Sequence, residues 1–154
     1  GPIYYLMTRR PEAGLELGAA APALEGKGFK LDEVSAGLVL VAFWQGTEHN
    51  CEELMPVLAR IDDDYEPERF APVAVSLDGP EGRDSALESF FQGKERPNNL
   101  VLAGEQPVEG WRLTKVIALI LLGDARRILA GLVGQVSEGT LRQDIGAAVG
   151  TLFQ

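Results

Sequence analysis

The stretch Leu38–Pro56, read as LVLVAFWQGTEHNCEELMP, constrains this chain more than any other. Leu38, Val39, Leu40, Val41, Ala42 and Phe43 follow one another with no polar alternation. A run that short and uniform predicts a strand buried on both faces. Trp44 and Gly46 interrupt it, and a polar turn then leads into residues with helical spacing. Leu54, Leu58 and Ile61 recur at i, i+4 and i+7 to make one apolar stripe, while Glu52, Glu53, Arg60 and Asp62 lie mostly off it. Pro56 falls inside that helix, where it removes one backbone hydrogen bond and predicts a kink.

Composition limits what such a unit can belong to. The chain has 154 residues, 45% of them hydrophobic and 24% charged, which suits one globular domain with a sizeable core. Its formal charge of -9 leaves 14 scattered Lys and Arg, too few to build a basic face, so nucleic acid is not expected as a partner. No cofactor and no metal are expected. A single cysteine, Cys51, excludes an internal disulfide and an internal resolving thiol. No apolar run approaches the ~20 residues that span a bilayer. Gly1 and Pro2 read as the remnant of a protease site, and Ile3 to Met7 before Arg9 and Arg10 read as a short apolar start to a soluble segment ahead of the tail of a removed anchor. Residues 1–16 are therefore set apart as scar and juxtamembrane linker, and 17–154 as the domain.

Further along, Pro11 to Lys30 is rich in Gly, Ala and Pro and predicts loop or short edge strands. Phe29, Leu31 and Val34 suit a short strand and turn before the buried run. The acidic residues Asp62, Asp63, Asp64, Glu66 and Glu68 predict a solvated helix end. Pro72–Leu77 reads as a second parallel strand closed by Asp78, Gly79 and Pro80. Asp84 to Phe91 reads as a short helix with Leu87, Phe90 and Phe91 inward, and Asn99 to Leu102 as a brief strand. Leu119–Leu122 predicts another strand, with Gly123, Asp124 and Ala125 turning it into Arg127–Val133. Arg126 and Arg127 are expected to be a solvated pair at that hairpin. Ser137 is placed to cap a last helix in which Leu141, Ile145, Ala148, Val149 and Leu152 repeat with helical period.

Two of these segments carry a family resemblance. The first resembles the FWxxWCxxCxxEMP pattern of the TlpA/ResA-type thiol-disulfide oxidoreductases of the thioredoxin-like superfamily, related to the AhpC/TSA group. Phe43 and Trp44 hold the first two places, Cys51 the second cysteine, and Met55 and Pro56 the close. Glu48 stands where the attacking first cysteine belongs. The second segment, Trp111–Ile128, resembles YGVxGVPTTFLIDxxGxI, with Trp111 in the aromatic place and Val116 before Ile117, which replaces the family's cis-proline. Leu17 to Pro22 is similar to the GxxAPxF motif that precedes an N-terminal hairpin in these proteins. The resemblance implies an α/β thioredoxin-like fold: a central mixed sheet flanked by helices, with an extra N-terminal hairpin and a mid-chain insertion. A cis bond before a non-proline residue costs about 2.5–4 kcal/mol, so Ile117 is expected to be trans and the substrate groove reshaped.

The site residues then have competing readings. A helix start favours a thiolate at Cys51, but Glu48, Glu52 and Glu53 oppose it, and the carboxylates are expected to win. Ala42 lies where thioredoxins keep a buried aspartate, so no buried base is visible. Cys51 reads either as a small shielded apolar residue or as the lone thiol of a one-cysteine oxidoreductase or peroxiredoxin-like peroxidase, with Glu48 and His49 beside it. Against the peroxidase, Glu48 replaces the threonine of its TxxC motif. His49 reads as a solvent-facing turn residue ahead of a general base. Metal binding by Glu48, His49, Cys51 and Glu52 is disfavoured, because alternate helix positions point apart and no second histidine or cysteine exists. The expected function is binding of a protein partner through the old substrate face, formed by Trp44, Gly46, Thr47, Glu48, His49, Asn50, Val116 and Ile117. By the same resemblance the expected location is the bacterial periplasm, membrane-anchored, with the cytoplasm as the alternative.

Overall fold

A computed structural model describes residues 15–26, 29–45, 51–78, 85, 88, 101–103, 108–113, 116–134 and 136–153. The sheet is built on the run that dominates the sequence. Strand β3 (Leu38–Trp44) is buried at every position. It pairs in parallel with β4 (Phe70–Ser76) on one side and antiparallel with β6 (Ala118–Leu122) on the other. Strand β5 (Val101–Ala103) lies parallel to β4, and β7 (Ile128–Val133) antiparallel to β6, giving the order β5-β4-β3-β6-β7. A two-stranded hairpin, β1 (Glu25–Gly26) with β2 (Phe29–Lys30), precedes them. Helix α1 (Cys51–Asp62) joins β3 to β4, as a parallel pair requires, and α2 (Glu138–Leu152) closes the chain. This is the expected thioredoxin-like α/β arrangement, with its N-terminal hairpin. The expected helix at 84–91 and most of the mid-chain insertion lie outside the described residues.

Side chains alternate across the sheet, so each strand feeds two cores. Leu38, Leu40, Ala42 and Trp44 of β3 join Leu119 and Leu121 of β6 beneath the helices. There they meet Leu54, Met55, Leu58 and Ile61 of α1 and Leu141, Ile145, Ala148 and Val149 of α2. The stripe read from the spacing of α1 is the face it buries. Val39, Val41, Phe43, Ala118, Ile120 and Leu122 point the other way, against Leu24, Phe29, Leu31 and Trp111. Trp111 is fully buried, its ring centroid 5.2 Å from that of Phe43, and its Nε1 donates to the Ala23 carbonyl at 3.4 Å. It thereby holds the N-terminal segment on the sheet.

Three expectations about polar groups need adjustment. Asp62 is only 3% exposed and does not belong to the solvated helix end, because α2 packs alongside α1 and covers that turn; Asp63 and Asp64 are exposed as expected. Arg126 is not a free hairpin cation. Its guanidinium donates to the Val34 and Ala36 carbonyls, and burial lowers its pKa. Arg127, though exposed, donates to the Gly18 carbonyl at 2.8 Å. The hairpin turn thus staples two earlier loops to the sheet edge, and it places Ala125 and Arg126 at positive φ (56° and 54°). Ser137 caps α2 as its sequence position suggests, accepting from the Thr140 N–H at 3.1 Å.

Candidate functional site

The site lies at the end of the sheet where Trp44 of β3 is level with Ser76 of β4, and Phe43 with Ala118 of β6. The chain leaves β3 here and returns at Cys51 as the first described residue of α1. Gly46, Thr47, Glu48, His49 and Asn50 lie outside the described residues, and the side chains of Cys51 and Glu52 are likewise undescribed. What the structure gives is the frame around that turn.

Two members of the expected surface are buried. Trp44 is 0% exposed and belongs to the core beneath the helices, since the strand alternation that puts Leu40 and Ala42 on that side puts Trp44 there too. It supports the site from below and offers no binding surface. Ile117 is 4% exposed, and the Val116–Ile117 peptide bond is cis, which corrects the expectation of a trans bond. Tertiary contacts hold this residue on both sides. Its side chain is packed in the helix-side core, and its carbonyl accepts from the Gly134 N–H at 2.7 Å. Val116, half-buried, sits at the lip of the site.

Beside this frame lies a cleft of about 690 Å³, which the sequence alone did not reveal. Leu54, Ile117 and Leu119 are its most buried lining residues; Pro56, Val57 and Val136 add apolar wall, and Glu53, Arg60 and Glu138 supply charge. Its two sides come from α1 and from the β7–α2 loop, and an ion-pair ladder ties those sides together. Arg60 meets Glu138 at 2.5 Å, Arg142 meets the same carboxylate at 2.9 Å, and Arg142 also reaches Asp64. The hydrogen bond from Arg60, followed by that from Arg142, lowers the Glu138 pKa from 4.5 to about 2, and the two guanidinium pKa values rise in return. The one legible signal for this region was the cap at Ser137. The pairing of Arg60 with Glu138 crosses 78 residues and leaves no local pattern. Among the described residues no group of three metal-ligating side chains comes together.

No protein-family model matches the chain, and no curated protein matches it. Solved structures do. A protein described as thiol:disulfide interchange protein DsbE from Chlorobium tepidum is 25% identical, with a TM-score of 0.72 over 88% of this chain and 99% of that one. A thiol:disulfide interchange protein from a Bacteroides species is 23% identical, with a TM-score of 0.71 over 88% and 91% of the two chains. The thioredoxin domain of a thiol-disulfide oxidoreductase from Bacteroides vulgatus is 24% identical, with a TM-score of 0.70 over 88% and 99%. With β3 at the centre of its sheet and the flanking helices in place, the chain has the thioredoxin-like fold of thiol:disulfide interchange proteins.

Proposed function

We propose that this domain is a thioredoxin-like module that has lost dithiol exchange and works by binding a protein partner at the former substrate face. One observation carries the reading: the sequence has a single cysteine, and Glu48 stands where the resemblance puts the attacking thiol. Disulfide exchange within one chain needs two sulfurs, one to attack and one to resolve the mixed disulfide. The sheet and flanking helices that frame the site are nevertheless present. The binding surface would draw on residues 46–50 and Val116. By analogy with the interchange proteins the domain would work outside the cytoplasm, tethered through a preceding segment. Among the described residues no helix is long and apolar enough to cross a membrane.

The test is chemical. The protein should fail to reduce insulin disulfides, and Cys51 in the native chain should react with an aromatic disulfide reagent at pH 7 far more slowly than in denaturant. The competing reading is a one-thiol oxidoreductase or peroxiredoxin-like peroxidase using Cys51, with an external thiol as resolving partner. Turnover of peroxide or of a disulfide substrate that Cys51→Ser abolishes would establish that reading and overturn ours.

A further inference from the structure

We infer that the cleft between α1 and the β7–α2 loop receives an extended segment of the partner protein in which a basic residue stands next to apolar ones. The inference rests on the binding-module reading and specifies the chemistry of the partner. A cleft of about 690 Å³ has room for several side chains, and its floor of Leu54, Ile117 and Leu119 gives apolar ones a dry seat. Gly134, at φ 88°, forms part of the lip; open space surrounds the position a Cβ would take, so a main chain can approach closely there.

Charge selects the rest. Two carboxylates and one guanidinium line the cleft, and they are not equally available. Arg60 is committed to Glu138 through both Nε and Nη2, so among the described lining residues no cation is left to receive an acidic ligand. The Ser137 hydroxyl is committed to capping α2. Glu53 is exposed and has no ion-pair partner among the described residues, which leaves one carboxylate beside the apolar floor. The chain's charge of -9 favours approach of a cationic segment from a distance and disfavours an acidic one. A lysine or arginine on Glu53 with a neighbouring leucine-like side chain on the floor satisfies both features at once.

The experiment titrates the full ¹⁵N-labelled chain with three synthetic peptides in a glycine-serine frame, carrying Leu-Lys-Leu, Leu-Glu-Leu or Ser-Lys-Ser at the centre. The Leu-Lys-Leu peptide should move the amide signals of Val57, Gly134 and Val136. It should bind about tenfold or more tightly than either of the others, since both the charge and the apolar contact are required. Glu53→Gln should weaken it about threefold, the scale of one exposed charge pair, whereas Asp63→Asn, an exposed carboxylate just past α1, should leave it unchanged. The amide spectrum reports the fold of each variant in the same sample. Equal binding of the Lys and Glu peptides, equal effects of the two substitutions, or no binding at all would overturn the inference. Shifts confined to 44–51 and Val116 would overturn it too while leaving the binding-module reading standing; that reading fails separately, on Cys51-dependent turnover.

Discussion

The two faces of the sheet are filled by the same strands but closed by different means. On one face, α1 and α2 lie over Leu38, Leu40, Ala42 and Trp44, and the seam between them is bridged by Arg60, Glu138, Arg142 and Asp64 while a cleft stays open beside it. On the other, the described cover is made of short pieces, the β1–β2 hairpin and the 3-10 turns Leu31–Glu33 and Glu109–Trp111. Leu24, Phe29, Leu31 and the Phe43–Trp111 ring pair pack there against Val39, Val41 and Ile120. A long helix satisfies its own backbone, so a helix-covered face can keep a gap at its margin, whereas short segments contribute burial through a few large side chains. The helix side carries the described cleft, and on the other side Trp111 supplies much of the described cover.

That contrast can be broken by mutation. The largest effect is expected for Trp111→Ala, which empties a fully buried aromatic site, frees the Ala23 carbonyl and should cost about 3–5 kcal/mol in urea unfolding. Leu58→Ala, equally buried on the helix side, should cost about 2–4 kcal/mol because neighbouring helical side chains can partly collapse into the space. A larger loss at Leu58 than at Trp111 would show that the side covered by short segments is not the more fragile one. A smaller effect, about 1 kcal/mol, is expected for Ser137→Ala, which leaves the Thr140 N–H at the start of α2 without its cap.

The smallest effect concerns the ladder across the helix seam. Glu138 has a pKa of about 2 in the folded chain against an ordinary 4.5, so its contribution is present above about pH 4.5 and is lost as the pH falls toward 2. The difference in unfolding midpoint between the natural chain and Glu138→Gln should be constant near neutrality and shrink through that window. Because the charges face solvent, added salt should shrink it as well. A difference that grows in acid would show that the ladder does not tie α1 to α2.

Much of the frame was legible in the residues because it depends on local patterns. The short uninterrupted apolar runs of β3, β4 and β6, the helical spacing of Leu54, Leu58 and Ile61, and the Ser137 cap are each local signals carried by neighbouring residues. What escaped depends on residues far apart in the chain. Asp62 reads as solvated until α2 is laid beside it. Arg126 reads as a surface cation until Val34 and Ala36, about ninety residues earlier, offer it their carbonyls. The bond before Ile117 is cis although a non-proline residue follows it, so residue type alone reads it as trans. The cleft has the same origin as the Asp62 and Arg126 cases, since its two sides are contributed by segments that meet only when the sheet is complete. The segment 46–50 lies outside the described residues, and its reading rests on its residue types and on the resemblance they carry.

The absence of any polar residue along β3 has a consequence for folding fidelity. Most sheets fix strand alignment by polarity, because sliding by one position would throw greasy groups into water. Here both sides of the ribbon are dry, so a slip would expose nothing. It would instead exchange one set of shapes, two leucines, an alanine and a tryptophan, for another of two valines and a phenylalanine. Correct alignment of the central ribbon is thus enforced by volume, and substitutions that even out the sizes on its two sides are the kind of change it would tolerate least.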